Sequence, residues 1–434
     1  MKIAVVGCVH GELDVIYNDI TSIEKNREIK IDLLIICGDF QAIRNEHDLQ
    51  CMAVPHHHRR LGTFYKYYTG ELQAPVLTLF IGGNHEASNY LQTLPYGGWV
   101  APKIYYLGYS NVVQFGGLRI GGISGIHKRG HEHLGHFERL PYDEDTKRSA
   151  YHVRSLHVYQ MLQLNKPDGI EKQQIIDIFI THDWPINIHT CGDVDLLLRK
   201  KKHFYNDIRN NSLGNPLYKP LVDHLKPRYW FAAHMHVKFN ALINYCPEKE
   251  IMTRFLALDK INHRQEYLEI FEIEEKNSNL SLEYDPEWLA ILCMTNELMS
   301  IERNPTHRVP SFWRFEHRPS QDVIDDVLKK FNSDFKIPEN FKLCEPTLEE
   351  NDLDPKRVTN YRNPQTTEFC SKLNLIDPIQ AIIDSMKVMP NPDQIDISDE
   401  EDNDDINENK DDKNEDKIDP NDTFFIDRKG DHNL

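Results

Sequence analysis

The sequence predicts an α/β protein built as a β-sandwich of two packed sheets flanked by helices. A smaller C-terminal accessory region and a disordered acidic tail follow it. Three observations point there. Apolar runs of strand length alternate with helical patterns through about residue 245, most of these runs stop at Gly, His or Asp, and residues 391–434 carry no apolar periodicity.

The first run, Lys2 to Val6, leads into the turn Gly7-Cys8-Val9-His10-Gly11 and then a helical pattern whose Leu13, Ile16, Tyr17, Ile20 and Ile23 share one face. Asp32 to Cys37 repeats the arrangement and stops at Gly38-Asp39. Val76 to Ile81 stops at Gly82-Gly83-Asn84-His85-Glu86. A hairpin-like pair, Val112 to Phe115 and Leu118 to Ile123, turns at Gly116-Gly117. Ile175 to Ile180 then ends at Thr181-His182-Asp183, and Arg228 to Ala233 at His234-Met235-His236. Residues 246–390 are broken by prolines, including Pro286, Pro305, Pro310, Pro338, Pro346, Pro355 and Pro364, among short helical patterns such as Gln321 to Phe331, and read as the accessory region.

Composition bounds the function. The chain has 434 residues, 40% of them hydrophobic, so it can bury a large core. Its longest apolar runs are far short of the ~20 residues a bilayer helix needs, so no membrane span is expected, and the N-terminus carries no secretory pattern. Eight cysteines without a CxxC pair suit a reducing compartment. The net charge is −18, but residues 391–434 hold 17 Asp+Glu against 5 Lys+Arg, which leaves only −6 for residues 1–390. Such a tail repels itself and cannot bury enough surface to order.

The informative fact is positional. Apart from the hairpin, each strand-like run ends in metal-competent side chains, and ligands of α/β sheets gather beyond the carboxyl ends of strands. Cys8, His10, Asp39, Asn84, His182, His234 and His236 would then converge from five loops. Together they supply one thiolate, one carboxylate, one amide oxygen and four imidazoles, enough for two divalent ions if Asp39 bridges them. A two-metal centre matches phosphoester hydrolysis.

These motifs resemble those of the calcineurin-like metallophosphoesterases: D-x-H, GD, GNH[DE], a further His and H-x-H. The departure is Cys8, which stands where that pattern has its first Asp. With GDFQAIRN at 38–45, GGNHEASNYL at 82–91, PYGGWVAP at 95–102, GISGIHKRG at 122–130 and THDWP at 181–185, the chain is similar to the RNA lariat debranching family. The resemblance implies a catalytic domain over 1–245, a lariat recognition loop inserted at 124–154, and a nuclear hydrolase of the 2′,5′-phosphodiester in branched intron RNA. It implies one metal on Cys8, His10, Asp39 and His236, another on Asp39, Asn84, His182 and His234, and hydroxide held by the pair as nucleophile. His85 is left as general acid, since imidazole donates a proton near neutrality. The soft thiolate favours Fe²⁺ and Zn²⁺, with Mn²⁺ able to substitute. The enzyme is expected to be a monomer. Two other functions compete: a generic phosphomonoesterase or cyclic-nucleotide phosphodiesterase, which the loop and Cys8 oppose, and a non-catalytic scaffold, which the intact ligand set opposes.

Further candidates follow from charge and shape. In the 124–154 loop Lys128, Arg129, Lys147, Arg148 and Arg154 are placed against phosphates, with Tyr142 or Tyr151 stacking on a base. Arg44 is read as a bidentate phosphate contact rather than a surface ion pair. Trp184 and Trp99, beside motifs, either wall the cleft or belong to the core. His131, His133 and His136 are expected to be exposed or to contact phosphate rather than hold a third metal, and His56 to His58 to be solvated. Arg199-Lys200-Lys201-Lys202 reads as an RNA track, a nuclear import signal or a solvated helix face.

Overall fold

The computed structural model describes residues 1–164, 175–249, 251–262, 266–344 and 360–388. The tail from residue 391 lies outside the described residues. Thirteen strands are described: β1 Lys2–Val6, β2 Leu33–Ile36, β3 Thr78–Phe80, β4 Gly98–Ala101, β5 Ile104–Tyr106, β6 Ser110–Phe115, β7 Leu118–Ile123, β8 Ile178–Thr181, β9 Tyr229–Ala232, β10 Phe239–Cys246, β11 Ile251–Ala257, β12 Leu268–Glu272 and β13 Glu283–Tyr284. They form two sheets, ordered β12-β1-β2-β3-β5-β4 and β10-β11-β9-β8-β7-β6-β13. In the first, β1, β2, β3 and β5 run parallel; in the second, β7, β8, β9 and β11 do.

Side chains alternate across each strand and so divide the core into layers. Ile3, Val5, Leu33 and Ile35 point to the space between the sheets, where Ile178, Ile180, Phe231 and Leu256 meet them. Ala4, Val6, Leu34 and Ile36 face outward onto the helix Leu13–Arg27, which buries Leu13, Ile16, Tyr17 and Ile20. The outer face of the second sheet, with Phe179, Trp230 and Ala232, is covered by the helices Ser155–Leu162 and Pro286–Met294.

The boundary expected near residue 245 falls inside a hairpin. β10 and β11 pair antiparallel from Phe239↔Ala257 to Cys246↔Ile251, β12 closes the edge of the first sheet on β1, and β13 pairs with β6. Residues 1–388 form one compact unit. Among the described residues no helix is long and apolar enough to cross a membrane.

Candidate metal centre

The parallel strands of both sheets deliver their carboxyl ends to one place. β1 runs out into Cys8 and His10, β2 into Asp39, β3 into Asn84 and His85, β8 into His182, and β9 into His234 and His236. Donor atoms of Cys8, His10, Asp39 and His236 all lie within 4.8 Å of one another; among the described residues this is the one His, Cys, Asp and Glu group so close. The Nε2 atoms of His10 and His236 stand 3.2 Å apart, and His10 Nε2 is 3.8 Å from Asp39 Oδ2. On the other side of Asp39, its Oδ1 is 3.4 Å from His182 Nε2, which is 3.2 Å from Asn84 Oδ1. The ring of His234 lies beside His182, centroids 4.9 Å apart. All seven predicted ligands therefore meet around one carboxylate.

Glycine makes the approach possible. A Cβ on Gly83 would sit 2.2 Å from Asp39 Oδ1 and 2.8 Å from His182 Nε2, and one on Gly38 only 2.2 Å from His182 Nδ1. His182 Nδ1–H donates to the Cys37 carbonyl at 2.9 Å, which turns Nε2 toward Asp39 and Asn84 as the nitrogen available to a cation. Four of the ligands hold a left-handed backbone: φ is 50° at His10, 45° at Asp39, 61° at His234 and 48° at His236. Such strain in non-glycine residues costs about 1–2 kcal/mol each and concentrates at functional sites.

The electrostatics suit cations. Burial lowers His10 to about 4, His234 to about 3 and His236 to about 2, so these imidazoles are neutral with free lone pairs. Burial works to raise Asp39, but the surrounding His182, His85 and His10 override it and hold the carboxylate well below its usual range. Burial, with Asp39 adding to it, pushes the Cys8 thiol up. The Cys8 sulfur accepts the His234 N–H at 3.2 Å, and a cation among these donors favours the thiolate outright. His85 stands at the rim with a side chain 21% exposed, Nδ1 3.9 Å from Asp39 Oδ2, its ring 5.4 Å from that of His10.

Residues 1–238 match the calcineurin-like phosphoesterase family, and residues 250–378 match the C-terminal domain of the lariat debranching enzyme. The chain is 50% identical over 390 residues to lariat debranching enzyme A of Xenopus laevis, covering 87% of this chain and 71% of that protein. It is 48% identical over 391 residues to the lariat debranching enzyme of Homo sapiens, covering 87% and 70%. With that of Drosophila melanogaster it shares 43% over 438 residues, covering 88% and 79%. The chain belongs to the lariat debranching enzyme family.

Three of the predicted RNA contacts are corrected by this family member's own packing. Arg44 is buried, its guanidinium bonded to both oxygens of Asp48 at 2.8 Å, to the Cys344 carbonyl and to the Tyr361 hydroxyl. Arg154 is 1% exposed and saturated by Glu138 at 2.6 Å and by the carbonyls of Gly135, Ser149 and His152. Trp184 is fully buried, its Nε1–H on the Ala233 carbonyl and its ring stacked on Phe239, which makes it core. None of the three can reach a phosphate or a base without losing these partners.

The 124–154 segment is thus a packed structure. It contains a helix, Glu144–Ser149, started by a capping box on Asp143. His136 is buried, contrary to expectation, with Nε2 2.8 Å from that of His157 and its ring stacked on Tyr109. His131 meets His152, and His133 is exposed, so the three histidines do not converge. Lys147 pairs with Glu144 at 2.7 Å. Arg129 is exposed and Lys128 and Tyr151 half-buried, Tyr151 lining a cavity with Gly83 and Glu86.

Glu86 was missed by sequence reasoning, although it ends the GNHE motif. Its buried carboxylate accepts the backbone N–H groups of Phe40 at 2.7 Å, Gln41 at 2.8 Å and Gly83 at 3.1 Å. It thereby ties the loop after β2 to the loop after β3, the two that carry Asp39 and Asn84.

Proposed function

We propose that this chain hydrolyses the 2′,5′-phosphodiester at the branchpoint of excised intron lariats, yielding linear RNA. The observation that carries the reading is the convergence of Cys8, His10, Asp39 and His236 within 4.8 Å, in a chain similar to lariat debranching enzymes over most of its length. The donor set fits a pair of divalent metals: imidazoles, three of which burial keeps neutral, an ionised carboxylate at the centre, and a sulfur already aimed inward. Cys8, His10, Asp39 and His236 would hold one cation, and Asp39, Asn84, His182 and His234 the other. When bound, such cations supply Lewis-acid charge at the phosphate and lower the pKa of water. Thiolate beside imidazole favours Fe²⁺ and Zn²⁺ for the pair, with Mn²⁺ substituting.

The protein's own groups complete the chemistry. His85, at the solvent edge of the centre and outside the ligand set, protonates the departing 2′-oxygen and recovers its proton from water. Its backbone N–H donates to Asp39 Oδ1 at 2.9 Å, so the acid and the shared ligand move as one piece. Arg129, Lys128 and Tyr151, on the loop beside the centre, remain candidates for RNA contact. A monomer acting in the nucleus is the form this substrate suits.

The test is linkage-specific. Pure protein with its metals quantified is incubated with a 2′,5′-branched RNA, a 3′,5′-linear control and p-nitrophenyl phosphate. Cleavage confined to the branch, leaving a 5′-phosphate, supports the proposal. Equal turnover of p-nitrophenyl phosphate and failure on the branched RNA would return the chain to a generic phosphoesterase.

A further inference from the structure

One side of the metal centre is formed by a segment from the C-terminal part of the chain. Ile261 N–H donates to the Cys8 carbonyl at 3.0 Å, Leu258 N–H to the Ala232 carbonyl at 3.1 Å, and a Cβ on Gly7 would lie 2.1 Å from the Asp259 carbonyl oxygen. Residues 258–261 are therefore wedged between the loop bearing Cys8 and His10 and the strand end bearing His234 and His236. Lys260, exposed on this wedge, is within electrostatic reach of both His10 and His236.

Lys260 is not alone. The helix Val194–Lys200 ends in Arg199-Lys200-Lys201-Lys202, and Lys200, Lys201 and Lys260 all act on the carboxylate of Asp259. Lys238, two residues past His236, flanks the same face. The acidic neighbours take up part of this charge: Lys200 pairs with Glu266 at 3.6 Å, and Lys238 with Glu266 at 3.1 Å and Glu269 at 3.0 Å. Among the described residues no carboxylate comes within 4.0 Å of the ammonium groups of Lys201, Lys202 or Lys260. Lys201 is half-buried, and burial works against its charge while Asp259 supports it without a direct ion pair.

We infer that Lys260, Lys201 and Lys202 form a track for the phosphodiester backbone of an RNA strand, leading away from the His10–His236 side of the metal centre. The inference rests on the RNA hydrolysis proposed above and adds where one arm of the branched substrate runs. An ammonium is a point charge suited to successive phosphates without reading bases, which matches an arm of arbitrary sequence. Concentrating cations that make no direct ion pair on one face lets a chain with net charge −18 attract a polyanion locally.

The experiment measures binding, so its result does not depend on cleavage. Metal-loaded His85→Ala protein is titrated against fluorescent 2′,5′-branched RNA with single-stranded arms over a range of KCl, alone and combined with Lys201→Ala, Lys202→Ala and Lys260→Ala. Each phosphate contact on a single strand contributes about 0.7 to the slope of log K against log salt, so the triple variant should lose about 2 from the slope. Between 1 M and 0.1 M salt that corresponds to about fivefold in affinity per lysine. Lys25→Ala, in the last turn of the helix Leu13–Arg27, serves as the control for loss of one positive charge elsewhere. Because Lys201 is half-buried, the pair Lys202→Gln with Lys260→Gln is run alongside and should lose about 1.4. An unchanged slope in the folded double variant would overturn the track and leave the patch to an acidic protein. Should the parent bind RNA with the predicted slope yet cleave no branch, the track stands and the debranching assignment alone fails.

Discussion

Replacing Arg154 separates the two roles open to it. As a loop residue contacting phosphate, Arg154→Ala would weaken RNA binding and leave the fold intact. The structure gives another outcome. The guanidinium and the Glu138 carboxylate are 1% and 2% exposed, 2.6 Å apart, and Arg154 also caps three loop carbonyls. Removing the arginine strands a buried carboxylate whose other partner is the Ser149 hydroxyl. Breaking such a pair from one side costs about 3–5 kcal/mol, a large share of the roughly 5–15 kcal/mol that holds a domain together. The assay is urea unfolding followed by intrinsic fluorescence, with Glu138→Gln added in a second variant. Neutralising the stranded acid should recover part of the loss, giving a coupling well above the ~0.5 kcal/mol expected of independent sites. Stability within about 0.5 kcal/mol of the parent, joined to weakened RNA binding, would refute the anchor.

Three further outcomes are expected. His85→Ala should lower turnover of branched RNA by about 10²–10⁴-fold while elemental analysis finds the parent's metal content; lost metal would make His85 a ligand. Gly83→Ala places a Cβ 2.2 Å from Asp39 Oδ1, so it should strip both activity and metal, and full retention of metal would show that the loop can move aside. Acid should destabilise the protein through His157, which burial holds down at about 3 and which stays neutral in the fold. The unfolded chain takes up a proton below about 6.5, so this contribution is complete above that pH and falls by about 1.4 kcal/mol per unit as pH drops toward 3. Urea midpoints from pH 7.5 to 5 should decline more steeply in the parent than in His157→Gln, and parallel curves would remove His157 as the cause.

The strands that build the interior were readable because both of their faces are covered. Leu33–Ile36 and Ile178–Thr181 are apolar runs, and the structure puts their ends within one to three residues of where the sequence did. The missed strands are at or near edges. β10 alternates buried Phe239 and Ala241 with exposed Asn240 and Leu242, and β12 is half-buried along most of its length, so neither shows the run that marks a central strand. β11 lies one strand in from the edge of the second sheet, comes after the point at which the alternating rhythm fades, and has Arg254 interrupting its apolar run.

The centre was readable for a different reason. Each ligand follows a strand directly, and those of the first sheet are accompanied by Gly7, Gly11, Gly38, Gly82 and Gly83, so local sequence marks where backbone and side chain must crowd. The partners of a buried charge leave no such mark: Glu138 lies sixteen residues before Arg154, and nothing in either neighbourhood says that they meet. Arg44 did carry a signal, since Asp48 is four residues on and Asn45 caps the intervening helical turn through the N–H groups of His47 and Asp48.

The strain at the centre explains why Glu86 matters beyond its motif. His10, Asp39, His234 and His236 hold positive φ without the freedom of glycine, and relaxation of any one would swing its donor out of the group. The loops stay in place because they are fixed twice. Their outer ends continue strands buried on both faces. Their inner ends are tied across the sheets by His182 on the Cys37 carbonyl and the His234 N–H on Cys8, and within the first sheet by Glu86 on Phe40, Gln41 and Gly83. The two sheets thus act as a rigid frame that keeps seven donors facing a common centre before any cation arrives, so less of the binding energy is spent on arranging ligands.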